Sequence, residues 1–267
     1  MGGGESLFAL DSLSPAKNAA VLHGVHACVC FSVKIHIMGK SSGDEKILSY
    51  KDVLLRRSDL DILSGPYFLN DRIIEFYFSY LSSCYPSPDI LLVPPSIAFW
   101  IANCPDVEGL KDFVEPLDLP GKKVVIFPVN DNENVGLADG GSHWSLLVFE
   151  RDAGVFVHHD SSRGMNSRYA RQLYEVLVRF INGSNSASDA KFIQCSSSPQ
   201  QLNGYDCGLY VIATARAICC WHETAKLSNK KDLWFSSVEE QVTPPAVTEL
   251  RKEILQLVKD LMTASAK

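Results

Sequence analysis

The sequence has no surplus of basic residues: 25 Lys and Arg stand against 31 Asp and Glu, a net charge of −6. A grip on a phosphate backbone rests on clustered positive charge, so no nucleic acid is expected as a partner. No apolar run approaches the roughly 18 residues of a spanning helix, and no membrane partner is expected either. A disulfide framework is also missing. The eight cysteines, Cys28, Cys30, Cys84, Cys104, Cys195, Cys207, Cys219 and Cys220, follow no framework spacing, and no secretory signal precedes them. A reduced, intracellular chain of the cytoplasm and nucleus is the expectation. Cys28-x-Cys30 and Cys219-Cys220-x-His222 lack a second ligand pair at usable spacing, so no metal site is expected. With no glycine-rich phosphate loop, no cofactor is expected.

What is present is ordinary globular material: 267 residues, 46% hydrophobic and 21% charged, enough for one large domain or two small ones. The first 45 residues differ from the rest. They hold Met1-Gly2-Gly3-Gly4, scattered serines and one short apolar stretch, Val25 to Ile37, interrupted by Lys34 and His36. That stretch is too short and polar for an anchor. Gly2 with Ser6 matches a myristoylation pattern of the kind that arises readily by chance. Met38 offers a second start. Residues 1–45 are therefore expected to be an accessory or disordered extension, and 46–267 one compact domain.

Within that domain Asn70-Asp71 caps a helix whose dense apolar face runs from Ile73 to Leu81. Pro94-Pro95-Ser96 opens a second short helix, through Trp100. Lys122 to Val129 reads as a buried strand, followed by an Asn, Asp and Gly-rich loop from Asn130 to Ser142. Trp144–Phe149 and Val155–His159 are two strands joined by Glu-Arg-Asp-Ala-Gly, a hairpin signature. Ser167 to Ile181 is a helix, Lys191 to Cys195 a strand, and Cys207 to Trp221 a buried helix. An amphipathic helix carries Val247, Leu250, Ile254, Leu257, Val258 and Leu261. Helices around a mainly sequential sheet give the class α+β.

The nucleophile candidate is Cys207, in Gln201-Leu-Asn-Gly-Tyr-Asp206-Cys207-Gly208. Turn and cap residues precede it, so it falls at or just inside a helix N-terminus, where unpaired N–H groups and the positive dipole end favour thiolate over thiol. Gly208 leaves room for a substrate backbone. Cys219 and Cys220, far from the helix start, read as core fillers. His143 opens the first hairpin strand and Asp160 closes the second. A turn centred between Arg151 and Asp152 sets these two face to face; a turn one residue later sets Asp160 opposite Ser145, diagonal to His143 and still within reach. Either register supplies an imidazole with an orienting carboxylate. His158 and His159 are rivals that alternate faces, so at most one points towards the site. Gln201, on the loop to Cys207, offers an amide to a tetrahedral oxyanion, a donor worth ~2.7–4 kcal/mol in the transition state. Gln200 beside it competes for that role. Trp144 belongs to the core or to one wall of a narrow slot.

Gly-Gly-Ser-His143-Trp144-Ser, His-His-Asp160-Ser and Gln201-Leu-Asn-Gly-Tyr-Asp206-Cys207-Gly208 together resemble the cysteine proteases of the sentrin/SUMO-protease superfamily, which process ubiquitin-like modifiers. Phe68-Leu-Asn-Asp71-Arg-Ile-Ile-Glu-Phe resembles that family's N-terminal substrate-binding motif. Glu115-Pro-Leu-Asp-Leu-Pro120 and the Asn130–Asn134 loop place the likeness nearest the deneddylase branch, over roughly 46–265. The resemblance implies a papain-like fold with a central mixed sheet flanked by helices and the nucleophile at a helix N-terminus. It implies Cys207 as nucleophile, His143 as general base, Asp160 as its partner and Gln201 as oxyanion donor. Trp144 would cover the modifier's C-terminal glycines in a channel too tight for side chains. Phe68, Asp71, Asn132, Asn134 and Gly208 would also meet substrate. Phe68 stands where family members often have tryptophan, losing an indole N–H and some area. The implied reaction is hydrolysis after the C-terminal Gly-Gly of a Nedd-type (Rub) modifier, in its precursor and its protein conjugates, by a monomer. A SUMO-specific protease of the same mechanism, or an acyltransferase on the same fold, are the alternatives.

Overall fold

A computed structural model describes residues 44–137, 140–182, 189–228 and 232–265. Positions 1–43, nearly all of the expected extension, lie outside the described residues. Asp44 and Glu45, assigned to that extension, are bound into the domain. Asp44 accepts from the Ser58 amide and hydroxyl at 3.1 and 2.7 Å, and Glu45 pairs with Arg57 at 2.8 Å.

The domain opens with a hairpin, β1 (Lys46–Tyr50) and β2 (Val53–Arg56), that runs into α1 (Arg57–Ser64). Next come α2 (Asp71–Cys84), β3 (Ile90–Leu92), α3 (Pro95–Asn103) and α4 (Val107–Val114). The remaining strands are β4 (Val124–Asn130), β5 (Trp144–Glu150), β6 (Val155–His159) and β7 (Lys191–Gln194). Helix α5 (Ser167–Leu177) precedes β7; α6 (Cys207–Ser228), α7 (Phe235–Gln241) and α8 (Pro244–Ser265) follow it.

Strands β3 to β7 form one sheet in chain order. The outer pairs are parallel and the inner two antiparallel, so the sheet is mixed. Its central strands read as unbroken apolar runs because both faces are covered. Ile126, Leu146, Val148 and Val157 pack with α2, α6 and α8, while Phe127, Leu147, Phe149 and Phe156 pack with α3, α4 and α5. Helix α2 starts where Asn70 accepts from the Ile73 amide at 3.0 Å, and it buries Ile73, Ile74, Phe76, Tyr77, Phe78 and Leu81. Each such side chain is worth roughly 1.5–3 kcal/mol of transfer free energy.

The β5–β6 turn fixes the geometry that matters most. Gly154 takes the left-handed conformation, φ +62°, and its amide bonds the Arg151 carbonyl at 3.1 Å. Glu150 then pairs Val155 and Leu146 pairs His159. Continued one step, this register sets Asp160 opposite Ser145, the diagonal arrangement. Among the described residues no helix is long and apolar enough to cross a membrane.

Candidate active site

Three segments meet at one end of the sheet. His143 directly precedes β5, Asp160 directly follows β6, and Cys207 is the first residue of α6, whose Leu209 and Ile212 pack on β5 and β6. The His143 Nε2 lies 2.7 Å from Asp160 Oδ1, both side chains buried. The Cys207 thiol lies near enough to the same ring to raise its basicity. With Nε2 engaged by the carboxylate, Nδ1 is the nitrogen left to face sulfur.

Burial works against a charged imidazole at His143. The hydrogen bond to Asp160 and its negative charge, with the neighbouring Cys207 sulfur, outweigh it and hold the ring protonated up to about 9. Burial also works against the Asp160 carboxylate. The His143 ring and the amides of Asn166 and Ser162, at 2.8 Å each, hold it below the ordinary carboxylate range. A base so supported can pass a proton between sulfur and a leaving amine.

The rival histidines are structural. His158 bonds Ser145 Oγ at 2.9 Å and Gln194 Oε1 at 2.8 Å, and burial lowers its basicity. His159 accepts from the Trp234 indole at 2.8 Å, so its proton sits on Nδ1, facing Ser198 Oγ at 3.2 Å. Burial drives its pKa down to about 3. Cys219 is buried among apolar groups that push its thiol up to about 12, as a core filler should be.

Gln201 is moored on the loop before Cys207. Its Oε1 accepts from Ser161 Oγ at 2.7 Å and its Nε2 donates to the Asn203 carbonyl at 2.7 Å, leaving the amide's other N–H to offer. Gln200 is committed elsewhere: its Nε2 donates to the carbonyls of Ser198 and Asp160, at 2.7 and 2.9 Å. Trp144 is half-buried, and its indole donates to the Leu69 carbonyl at 3.0 Å, so two walls 75 residues apart in sequence close over the approach to Cys207. Phe68, beside it, is 50% exposed.

Gly208 requires a correction. A Cβ there would stand 2.8 Å from Leu69 Cβ, so the missing side chain makes room for Leu69 rather than for a substrate backbone. Asp71 opens α2 and accepts from the Arg72 amide at 2.8 Å. Asn132 accepts from the Asn134 amide, and Asn134 from the Gly136 amide, both at 2.9 Å. These side-chain turns give the loop its own scaffold without a partner. Among the described residues no three His, Cys, Asp or Glu side chains stand together as metal ligands.

Two positioning residues escaped the sequence reading. Asp131 Oδ1 accepts the amides of Ser142 and His143, at 2.6 and 2.9 Å. Asn166 gives its amide to Asp160 Oδ2 and its Nδ2 to the His143 carbonyl at 3.1 Å and the Val129 carbonyl at 3.3 Å. Both belong to loop types that read only as turns; their targets become apparent once the strands are paired.

The profile of the Ulp1 protease family, C-terminal catalytic domain, matches residues 67–236. NEDD8-specific protease 1 of Arabidopsis thaliana is 56% identical over 228 residues, covering 85% of this chain and 99% of that protein. Sentrin-specific protease 8 of Homo sapiens is 37% identical over 227 residues, covering 84% and 99%. The solved C-terminal Ulp1 protease domain, in complex with Smt3, the yeast orthologue of SUMO, superposes with a TM-score of 0.57 at 19% identity. That likeness covers 85% of this chain and 91% of the other, and it concerns the fold.

Proposed function

The chain belongs to the Ulp1 protease family, and from that membership we propose that it cleaves after the C-terminal Gly-Gly of a NEDD8-type modifier. The observation that carries the reading is the buried 2.7 Å pair of His143 and Asp160, with Cys207 beside the same ring at the start of α6. The Cys207 sulfur attacks the glycine carbonyl, and the carbonyl oxygen becomes an oxyanion facing the Cys207 amide and the Gln201 side chain. Collapse expels the amine, which takes its proton from His143, and leaves a thioester. His143 then accepts a proton from water as the water attacks. The products are thiol and a modifier ending in a glycine carboxylate. In a conjugate the leaving amine is a lysine side chain; in a precursor it is a peptide N-terminus.

Trp144 and the segment carrying Phe68 and Leu69 frame the tail, and Asp71 with Asn132 and Asn134 meets the modifier's body. The NEDD8-type choice over SUMO rests on the 56% identity to NEDD8-specific protease 1 over 99% of its length, since the SUMO-bound neighbour speaks for fold alone. Cleavage of NEDD8 and SUMO, each carrying a fluorogenic group on its C-terminal glycine, tests it. The expected result is a kcat/KM for NEDD8 at least tenfold above that for SUMO. Faster SUMO turnover overturns the choice of modifier; a stable acetyl-enzyme without cleavage of either favours the acyltransferase.

A further inference from the structure

Arg251 lies on α8, 44 positions beyond the proposed nucleophile and outside the span matched by the family profile. Its guanidinium is nonetheless built into the approach to Cys207. Nη1 donates to the carbonyls of Ile62 and Gly65, each at 3.0 Å. Nη2 donates to the Tyr67 carbonyl and to Asp206 Oδ1, each at 2.9 Å. The side chain is 12% exposed and that of Asp206 9%. The other Asp206 oxygen accepts from Asn203 Nδ2 at 2.7 Å, and Asn203 Oδ1 accepts the amides of Tyr205 and Asp206. One planar cation thus joins the end of α1, the wall at 65–67 and the residue that precedes Cys207.

Those two ends are the two sides of the same passage. Two residues past Tyr67, the Leu69 carbonyl holds the Trp144 indole and the Leu69 side chain packs on Gly208. One residue past Asp206 stands the sulfur. A chain segment that leaves α1 at Ser64 and enters α2 at Asp71 has no helical or sheet bonds of its own to fix it. Arg251 supplies two of the anchors it lacks, at Gly65 and Tyr67, a third to the end of α1 and a fourth to the loop opposite. Arginine suits this task because its fork presents several donors in one rigid plane; a lysine ammonium has fewer donors and no plane.

We propose that Arg251 is a positioning residue for the substrate tail: it sets the wall carrying Phe68 and Leu69 at the spacing from Cys207 that an extended Gly-Gly segment needs. The proposal rests on the reading of Cys207 as nucleophile and of Trp144 and Leu69 as walls of its approach. Replacing the Arg251 fork by a lysine ammonium displaces the wall while a positive charge stays beside Asp206 and the His143–Asp160 pair keeps its own bonds. Small displacements of a bound reactant lower the rate steeply, by up to ~100-fold per ångström.

The test compares two reactions of the full chain, wild type and Arg251→Lys, with Arg251→Ala beside them. The first is cleavage of a NEDD8 C-terminal fluorogenic fusion; the second is alkylation of Cys207 by iodoacetamide across pH 5 to 10, mapped by peptide mass. The expected result is a kcat/KM for the fusion down about 10- to 100-fold in both variants. In Arg251→Lys, which keeps a cation beside Asp206, alkylation rate and pH profile should stay within about twofold of wild type. An unchanged kcat/KM overturns the proposal, as does an equal fall in both reactions or the failure of both variants to fold, either of which makes Arg251 a residue of the fold. A wild-type chain that cleaves no modifier overturns the underlying function instead.

Discussion

Gly208 and Leu69 share one volume: a Cβ built on the glycine would meet Leu69 Cβ at 2.8 Å and Leu69 Cγ at 3.3 Å. The start of α6 and the segment before α2 can approach this closely only because one of them has no side chain. The contact matters because the same Leu69 carries the carbonyl that holds Trp144. Gly208→Ala is expected to overpack a buried site and to lower stability by ~1–3 kcal/mol, read from urea unfolding. It should also lower cleavage of a modifier fusion, since Leu69 must shift. Unchanged stability would contradict the packing assigned here.

Asp160 is the largest favourable influence on the charge of His143, ahead of Cys207. Asp160→Asn keeps the shape but removes the negative charge and alters which ring nitrogen keeps its proton. A fall in kcat of about 10⁴-fold is expected, the size seen when an orienting aspartate is neutralised in a serine protease. The alkaline limb of kcat/KM, set in the wild type by a ring protonated up to about 9, should move to lower pH. A pH–rate series on both proteins checks the direction, and an unmoved limb would count against the pairing.

His159 and His143 bend the stability curve in opposite senses. The pKa of His159 falls from 6.5 in the unfolded chain to about 3 when folded, so the unfolded state binds more protons as the pH drops through 6.5. The stabilisation is therefore present above 6.5 and is lost towards acid, by up to ~1.4 kcal/mol per pH unit. His143 is raised from 6.5 to about 9, so its contribution is full below 6.5 and disappears as pH rises through 9. Urea unfolding at pH 5, 7 and 9.5 should find the maximum near neutrality, with His159→Phe flattening the acid side alone.

Asn166 holds two carbonyls, those of Val129 and His143, from a fully buried position. Asn166→Ala removes a donor from each, leaving the His143 carbonyl only the longer bond from Asn130 Nδ2 at 3.3 Å, and should lower stability by ~1–3 kcal/mol. Because the His143 backbone is released, kcat should fall while KM for the modifier fusion changes little. A rise in KM with kcat intact would place Asn166 in substrate contact instead.

The chemistry was more legible than the scaffold around it. The His143–Asp160 pairing followed from strand alternation and turn length, both local properties, and the two registers considered differed by only one residue. The helix start at Asn70 and the nucleophile at the start of α6 announce themselves through cap and turn residues. The β1–β2 hairpin, α1 and the three-residue β3 went unread. Each is short, and β3 is shaped by pairing with β4 rather than by its own pattern. Glycine beside a nucleophile reads as room for a substrate backbone; the occupant of that space, Leu69, lies 139 positions away in sequence. Arg251 and Asn166 were invisible for the same reason, since their partners come from segments that only the tertiary fold brings near.

The proposed mechanism predicts that one sulfur among eight performs the chemistry. The most direct measurement is reaction of the full chain with a NEDD8 whose C-terminal glycine carries an electrophile, followed by peptide mapping. One adduct per chain, located on Cys207, absent in Cys207→Ala and slowed in His143→Ala, is the predicted result. An adduct on another cysteine, or one that persists in Cys207→Ala, would contradict it.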